Sequence, residues 1–430
     1  MKSECDRDNE RRGERPVGLS VWQHGAIFLV ACAILVSRRP DAIFSAQFFQ
    51  EDGHTWFADA YNFGWWAALC RTYEGYHHVF PRLGAALALL VPLSLAPLVL
   101  NLIAIGVQAL PANILLSARS SQWGSLRFRA LLAGMYLVLP NTGEMLNDIS
   151  QSQWPLTLCA FLLLVAFVPK GPKGHIFDLS ILLLCGLTGP ECFFLLPIAG
   201  FLAWRHRERW RWVTAGVLAA LCPVQGWSLL NGGFSSRPHF ALGASPALLA
   251  RILAGNVYLG TLLGGNGLAA NQDRRIFILL VFVAIFGTLF VALSYFKSNL
   301  SMKLFIILTS TLLAASLISP TSYPPPGDTE WQQLSEAIGI RYWYFPTLVF
   351  AWSILFCFRS RTAILRIVSA TLLFLMCFGI VRDWRYSAYE DMHFAEYAKR
   401  VEAAPPGTIV TIPQNPKGWN LQLVKHVAGR

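Results

Sequence analysis

LSVWQHGAIFLVACAILV (residues 19–36) contains no aspartate, glutamate, lysine or arginine. A run of this length and polarity is about what a helix needs to cross the hydrocarbon core of a bilayer. It follows a polar start of mixed charge, MKSECDRDNERRGERPVG, and no small-residue cleavage site comes after it. It therefore reads as a retained first transmembrane helix rather than a signal peptide. The whole chain has the same character: its 430 residues are 54% hydrophobic and only 14% charged, with a mean hydropathy of +0.46. Soluble domains carry about 25% charged residues, so this is an integral membrane protein.

Lysine and arginine number 35 against 24 acids, a net charge of +11. The surplus sits in short clusters between apolar runs, as in cytoplasmic loops under the positive-inside rule. Its partner is the lipid bilayer and not nucleic acid. The clusters at 119–129 (RSSQWGSLRFR), 170–173, 205–211 (RHRERWR), 297–303 and 359–366, together with the N-terminus, mark the cytoplasmic points. Threading the apolar runs between them predicts about eleven crossings, at 19–36, 97–117, 129–140, 154–168, 176–188, 190–204, 212–230, 275–295, 303–319, 342–358 and 366–381. The expected fold is an all-α polytopic membrane protein with a cytoplasmic tail at 1–18, a transmembrane domain at 19–381 and an extracytoplasmic tail at 382–430. No fixed-period repeat divides it.

The outer face then receives the loops 37–96, 141–153, 231–274 and 320–341. His78–Val91 is apolar as well, but counting it as a crossing would put RSSQWGSLRFR outside. It is expected to lie in the interface beside the amphipathic TWFADAYNFGWW stretch. Gly189 and Pro190 interrupt LTGPECFFLLP (187–197), and a helix broken at membrane depth is expected to line a cavity. In the C-terminal tail, GTIVTIPQNPKGW (407–419) predicts a strand and a turn. Of the nine cysteines, Cys5 is in the N-terminal tail, Cys70 in the first outer loop and the rest in apolar runs. Neither a disulfide framework nor a zinc spacing follows.

FFQEDGHTWFADAYNFGWW (48–66), just beyond the first crossing, carries Glu51, Asp52, His54 and Asp59. The same loop continues through RTYEGYHHVFPRLG (71–84) with Arg71, Glu74, His77, His78 and Arg82. Ionisable groups gathered at membrane depth are functional by default. Other outer loops bring further groups. Arg341 heads RYWYFP and suits either a bidentate grip on phosphate or an interfacial anchor, with Tyr342 and Tyr344 as donors and Arg82 and His78 as further candidates for the same duty. In NTGEMLNDISQSQ (141–153), Glu144, Asn147 and Asp148 would either reach hydroxyls of a substrate or cap helix ends. Glu191 follows the helix break and either lines the cavity or sits favourably at a helix N-terminus. His54 would tune the acids or only hydrogen-bond beside them; Asp59 would cap or solubilise the following helix.

A long first outer loop, the acidic pair Glu51-Asp52 soon after the first crossing, interfacial helices within that loop and the turn in GLTGPECFFLLP (186–197) together resemble the GT-C superfamily of membrane glycosyltransferases. The chain departs from that family's Lys-Gly-Pro-type turn, having Thr188-Gly189 in place of lysine. The resemblance implies transfer of a sugar from a polyprenyl-phosphate donor to a glycan, lipid or protein acceptor on the extracytoplasmic face of the inner membrane. A first-loop carboxylate would be general base, Asp52 first and Glu51 second. No cofactor is obligatory; a divalent cation is compatible with a phosphate-linked donor, but the sequence offers no metal motif. The competing expectation is a transporter or flippase of a lipid-linked sugar or another anion; a polysaccharide polymerase or ligase would share the hydropathy. Acids and candidate phosphate-binding arginines lying beyond helix ends on one face favour chemistry at a surface over passage through the membrane.

Overall fold

The computed structural model describes residues 18–233, 240–265, 274–336 and 340–426. The N-terminal tail 1–17, with Cys5, lies outside them. Ser20 opens the first helix, Val21–Arg38, with a reciprocal capping box to Gln23 that satisfies two of the free N–H groups at its start. Among the described residues, seven helices are long and apolar enough to cross a membrane: Val21–Arg38, Leu93–Leu116, Arg209–Asn231, Pro246–Leu263, Ile276–Lys297, Leu300–Ile318 and Ala363–Arg382. The protein is an all-α membrane protein.

Two inner helices complete the core. Gln153–Val165 is buried on every side from Trp154 onward, and Ile340–Phe358 is buried almost continuously from Trp343 to Leu355. A helix apolar all round belongs inside other helices, where its length need not match the bilayer. Aromatic rings join the two: Trp154 lies 5.8 Å from Phe345, Phe345 lies 5.9 Å from Phe305, and Phe305 lies 5.0 Å from Trp352. Leu126–Leu137, Pro172–Gly186 and Cys192–His206 are the remaining helices of the bundle. All eleven expected segments thus fall on helices.

The charges separate by end. At one end Arg119 forms a forked pair with Asp178 at 2.9 and 2.6 Å, and Arg211 donates to the carbonyls of Leu164 and Ala166. Arg359 covers the Phe128 ring at 4.3 Å. Guanidinium groups here satisfy carbonyls at helix C-termini. The opposite end collects the acidic first loop, residues 141–153 and the C-terminal tail.

The tail is part of that cap. Its helix Phe394–Ala403 and its hairpin, Ile409–Gln414 paired antiparallel with Trp419–Val424, share an apolar cluster with Phe48, Trp56 and Phe57 of the first loop. His54 Nδ1 contacts the Asn420 carbonyl at 2.8 Å and Asn62 donates to the Gln422 carbonyl. His54 therefore faces the tail and not the acids beside it. The expected interfacial element is the helix Val79–Ala88, whose 10 residues rise about 15 Å, half of the roughly 30 Å a crossing requires. Nearby, Gly64 at φ +85° turns between two short helices, leaving Phe63, Trp65 and Trp66 exposed in an aromatic rim.

One expectation is corrected. Residues 231–274 were expected as a loop, yet Pro246–Leu263 is helical throughout, with a π-helical stretch at Ile252–Leu259. Before it, the Ala241 and Leu242 carbonyls accept from Glu330 and Trp331; after it, the Gly265 N–H donates to Asp383 at 2.8 Å. Both flanks therefore contact residues of the acidic end, Glu330 and Trp331 before the helix and Asp383 after it. Alternating the basic clusters left no crossing to assign to it, although its length and composition would suffice for one.

Leu421, fully buried between tail and first loop, tests this docking. Leu421→Ala is expected to cost about 2–4 kcal/mol, read as a lower unfolding midpoint of the detergent-solubilised protein and as new trypsin cleavage at Lys399, Arg400 or Lys417. An unchanged digestion pattern would mean that the cluster does not hold the tail.

Candidate active site

A cavity of about 410 Å³ opens at the acidic end of the bundle. Glu51, Trp56 and His78 reach it from the first loop, Ser150 and Gln153 from the second, Glu191 from the helix break and Arg341 from the start of Ile340–Phe358. Its other side is apolar: Phe193, Leu229, Leu312 and Ala315 come from three different helices. The expectation that the Gly189-Pro190 break lines a cavity holds.

Neighbouring acids of the first loop separate. Glu51 lines the cavity, whereas Asp52 does not and is 2% exposed. The Ser150 N–H and Oγ–H donate to Asp52 Oδ1 at 3.0 and 2.5 Å, and the same N–H reaches Asp148 Oδ1 at 2.8 Å. Trp56 Nε1–H donates to Ser150 Oγ at 2.8 Å. Asp148 Oδ2 is buried and has no other protein partner. Burial pushes the carboxyls of Asp52 and Asp148 up, and for Asp148 the facing Asp52 charge adds to it. Two carboxyl groups in contact cannot both ionise, so the pair shares a proton. Glu51 is also raised, chiefly by burial, with the Arg341 charge opposing the shift.

Arg341 donates to the Thr321 carbonyl at 2.8 Å and stands 3.8 Å from Glu144. Glu144 also accepts from the Ile340 N–H at 2.9 Å, capping the helix that carries Arg341. The Tyr342 hydroxyl accepts from the Thr321 N–H at 2.7 Å and donates to its carbonyl at 3.0 Å, so it straps the 319–321 turn while its ring borders the cavity. The Tyr323 hydroxyl donates to Glu74 at 2.7 Å, tying the proline-rich loop to the first loop.

His78 lines the cavity, but burial and the nearby Arg82 charge push its imidazole down to about 3, so it is a neutral ring. It is no phosphate-binding cation. Arg82 is not in the cavity either: it is turned to Asp59 at 2.9 Å and lies 5.0 Å over Trp56. Asp59, expected to cap or solubilise the following helix, pairs Arg82 and Arg71. Tyr344 faces a separate small cavity with Arg38 and Tyr136. Asn147, at φ +60°, donates from its side chain to the Arg39 carbonyl and from its backbone N–H to Gln108 Oε1, so it shapes the loop and does not line the cavity.

Sequence reasoning missed that Asp52 and Asp148 form a pair and that His54 belongs to the tail. The signal was present only as two acids on separate loops. Among the described residues no cluster of three or more histidine, cysteine, aspartate or glutamate side chains is placed to hold a metal, and the described cysteines are free thiols. No protein-family model matches the chain, and no curated protein matches it.

The shared proton has a sign. Because the native pair holds its proton more tightly than the unfolded chain, its contribution to stability is complete below the unfolded aspartate range. It is lost as pH rises through the raised native values, about 6 for Asp52. Unfolding midpoints of the wild type are therefore expected to fall as pH rises from about 4 through about 6 and beyond, and Asp148→Asn, which supplies a permanent donor, is expected to flatten that fall. Parallel curves for the two proteins would count against the shared proton.

Proposed function

We propose that the protein is a membrane glycosyltransferase that moves a sugar from a polyprenyl-phosphate donor to a glycan, lipid or protein acceptor. The observation that carries this reading is the amphipathic cavity in which Glu51 and Arg341 meet beside an apolar wall. The wall offers a place for a prenyl chain and the charged end a place for the reacting head. Charge segregation along the bundle supports an N-terminus in the cytoplasm and catalysis on the extracytoplasmic face of the inner membrane. Eleven crossings, with Pro246–Leu263 not counted among them, would fit that orientation.

In this mechanism the acceptor O–H loses its proton to the Glu51 carboxylate as its oxygen bonds to the anomeric carbon. The bond from that carbon to the phosphate oxygen breaks, and its electron pair stays on the departing lipid phosphate. Arg341 stabilises the growing negative charge. Glu51 then returns its proton to solvent. Asp52 positions: its hydrogen bonds to Ser150 hold the two loops together behind Glu51. This exchanges the roles expected from the sequence, in which Asp52 came first. A lipid-linked-sugar transporter would use the same cavity but no base.

Mass spectrometry of envelope glycans and glycolipids from cells lacking the protein tests the reading. Wild type is expected to restore a missing sugar; Glu51→Gln is expected to reduce it about 10²- to 10⁴-fold, and Arg341→Lys by a smaller factor. In membranes, transfer should rise with pH through a midpoint above the usual glutamate range, because burial raises the base. Full restoration by Glu51→Gln would remove the general-base step and favour transport.

A further inference from the structure

Four residues bordering one part of the cavity carry buried polar atoms that no protein group satisfies. They are Glu191 Oε2, Gln153 Oε1, Trp154 Nε1 and the ring nitrogens of His78, one of which has only the Tyr73 backbone near it. Glu191 is only 3% exposed and His78 and Trp154 5% each. Buried polar atoms in native proteins are nearly always paired, and an orphaned carboxylate oxygen is among the most costly to leave alone. Four residues with such atoms around one cavity are a pattern that a ligand would complete.

The chain is shaped to present them. A Cβ added at Gly189 would collide with the Glu191 carboxylate and stand 3.1 Å from Gln153 Oε1. Glycine leaves the space into which the carboxylate folds back, beside the Gln153 carbonyl, and a Cβ there would displace it. The lining offers a carboxyl group, an amide oxygen, an indole donor and an imidazole that supplies one donor and one acceptor. Its histidine is neutral, so the wall has no cation to hold phosphate. Vicinal hydroxyls, each able to give and take a hydrogen bond, match this set.

We infer that Glu191, Gln153, Trp154 and His78 form a subsite for the hydroxyl-bearing ring of a sugar, with Gly189 making room for the Glu191 carboxylate. The inference rests on the transferase reading and extends it: Glu51 and Arg341 face the reacting bond, and this wall grips the glycosyl ring.

The test combines two readouts on Glu191→Leu, Gln153→Leu and Gly189→Ala. The first is the product measured by mass spectrometry in complemented null cells, with Glu51→Gln alongside. The second is the unfolding midpoint of each purified protein in detergent without substrate. Residues kept for a ligand are expected to cost stability in its absence. Glu191→Leu should therefore leave the midpoint unchanged or raise it while product falls about 10- to 100-fold, the loss of one or two hydrogen bonds to a charged or polar partner. Gln153→Leu should behave alike, and Gly189→Ala should lose product by displacing the carboxylate. A lowered midpoint for Glu191→Leu would show a structural partner and overturn the subsite. So would full product from Glu191→Leu where Glu51→Gln loses it. Identical glycans in null and wild-type cells would instead remove the transferase reading, and the subsite with it.

Discussion

The hydrogen bonds from Ser150 to Asp52 hold the acidic end of this protein together. They join a loop that follows the first helix to a loop nearly a hundred residues later, inside a junction too dry for two free carboxylates. With Asp148 at the same N–H, one proton must be shared. Trp56 closes the junction through Ser150 Oγ and carries the rings of His78 and Tyr73 at 4.7 and 5.3 Å. Because Asp52 points inward, its neighbour Glu51 is left facing the cavity. The position of the candidate base is therefore a consequence of burying the acid next to it.

The bilayer sets the second constraint. Irregular backbone at membrane depth is tolerated only where protein or water satisfies it. The Gly189-Pro190 break meets this by facing the cavity, with the Val79 N–H donating to the Leu187 carbonyl and the Phe80 N–H to Thr188 Oγ1. Pro246–Leu263 meets it by staying helical throughout.

Much of the fold was legible because it depends on local composition. Apolar run length marks a helix whatever surrounds it, and basic clusters separate the ends. The helix Pro246–Leu263 was hidden because its sidedness depends on what its flanks touch, which no run of residues states. The site was less legible for the same reason. Glu51, His78, Glu144 and Arg341 were selected as chemically apt groups, and they do converge. Asp52 and Arg82 were equally apt but are consumed by Ser150 and Asp59, partners at sequence distances that periodicity cannot reveal. Tyr344 and Tyr342 sit two residues apart on one helix, so they point in different directions, and only Tyr342 borders the cavity.

Charge at the cavity follows from how the nearby cations are used. Arg39 pairs with Asp41 and covers the Tyr389 ring, Arg38 donates to the carbonyls of Leu137 and Leu139, and Arg82 is held by Asp59. Among the described lining residues Arg341 is then the sole lysine or arginine, in a cavity also lined by the carboxyls of Glu51, Glu74 and Glu191. A phosphate would enter a site where acids outnumber cations, so its binding must couple to their protonation. Burial already raises Glu51 toward the neutral form, which lowers the repulsion as the donor binds. The same shift makes the carboxylate a stronger base once the phosphate begins to leave. In the proposed transfer, a poorly solvated glutamate opposite a single arginine would admit the donor in its neutral form and act as base only after releasing that proton to solvent.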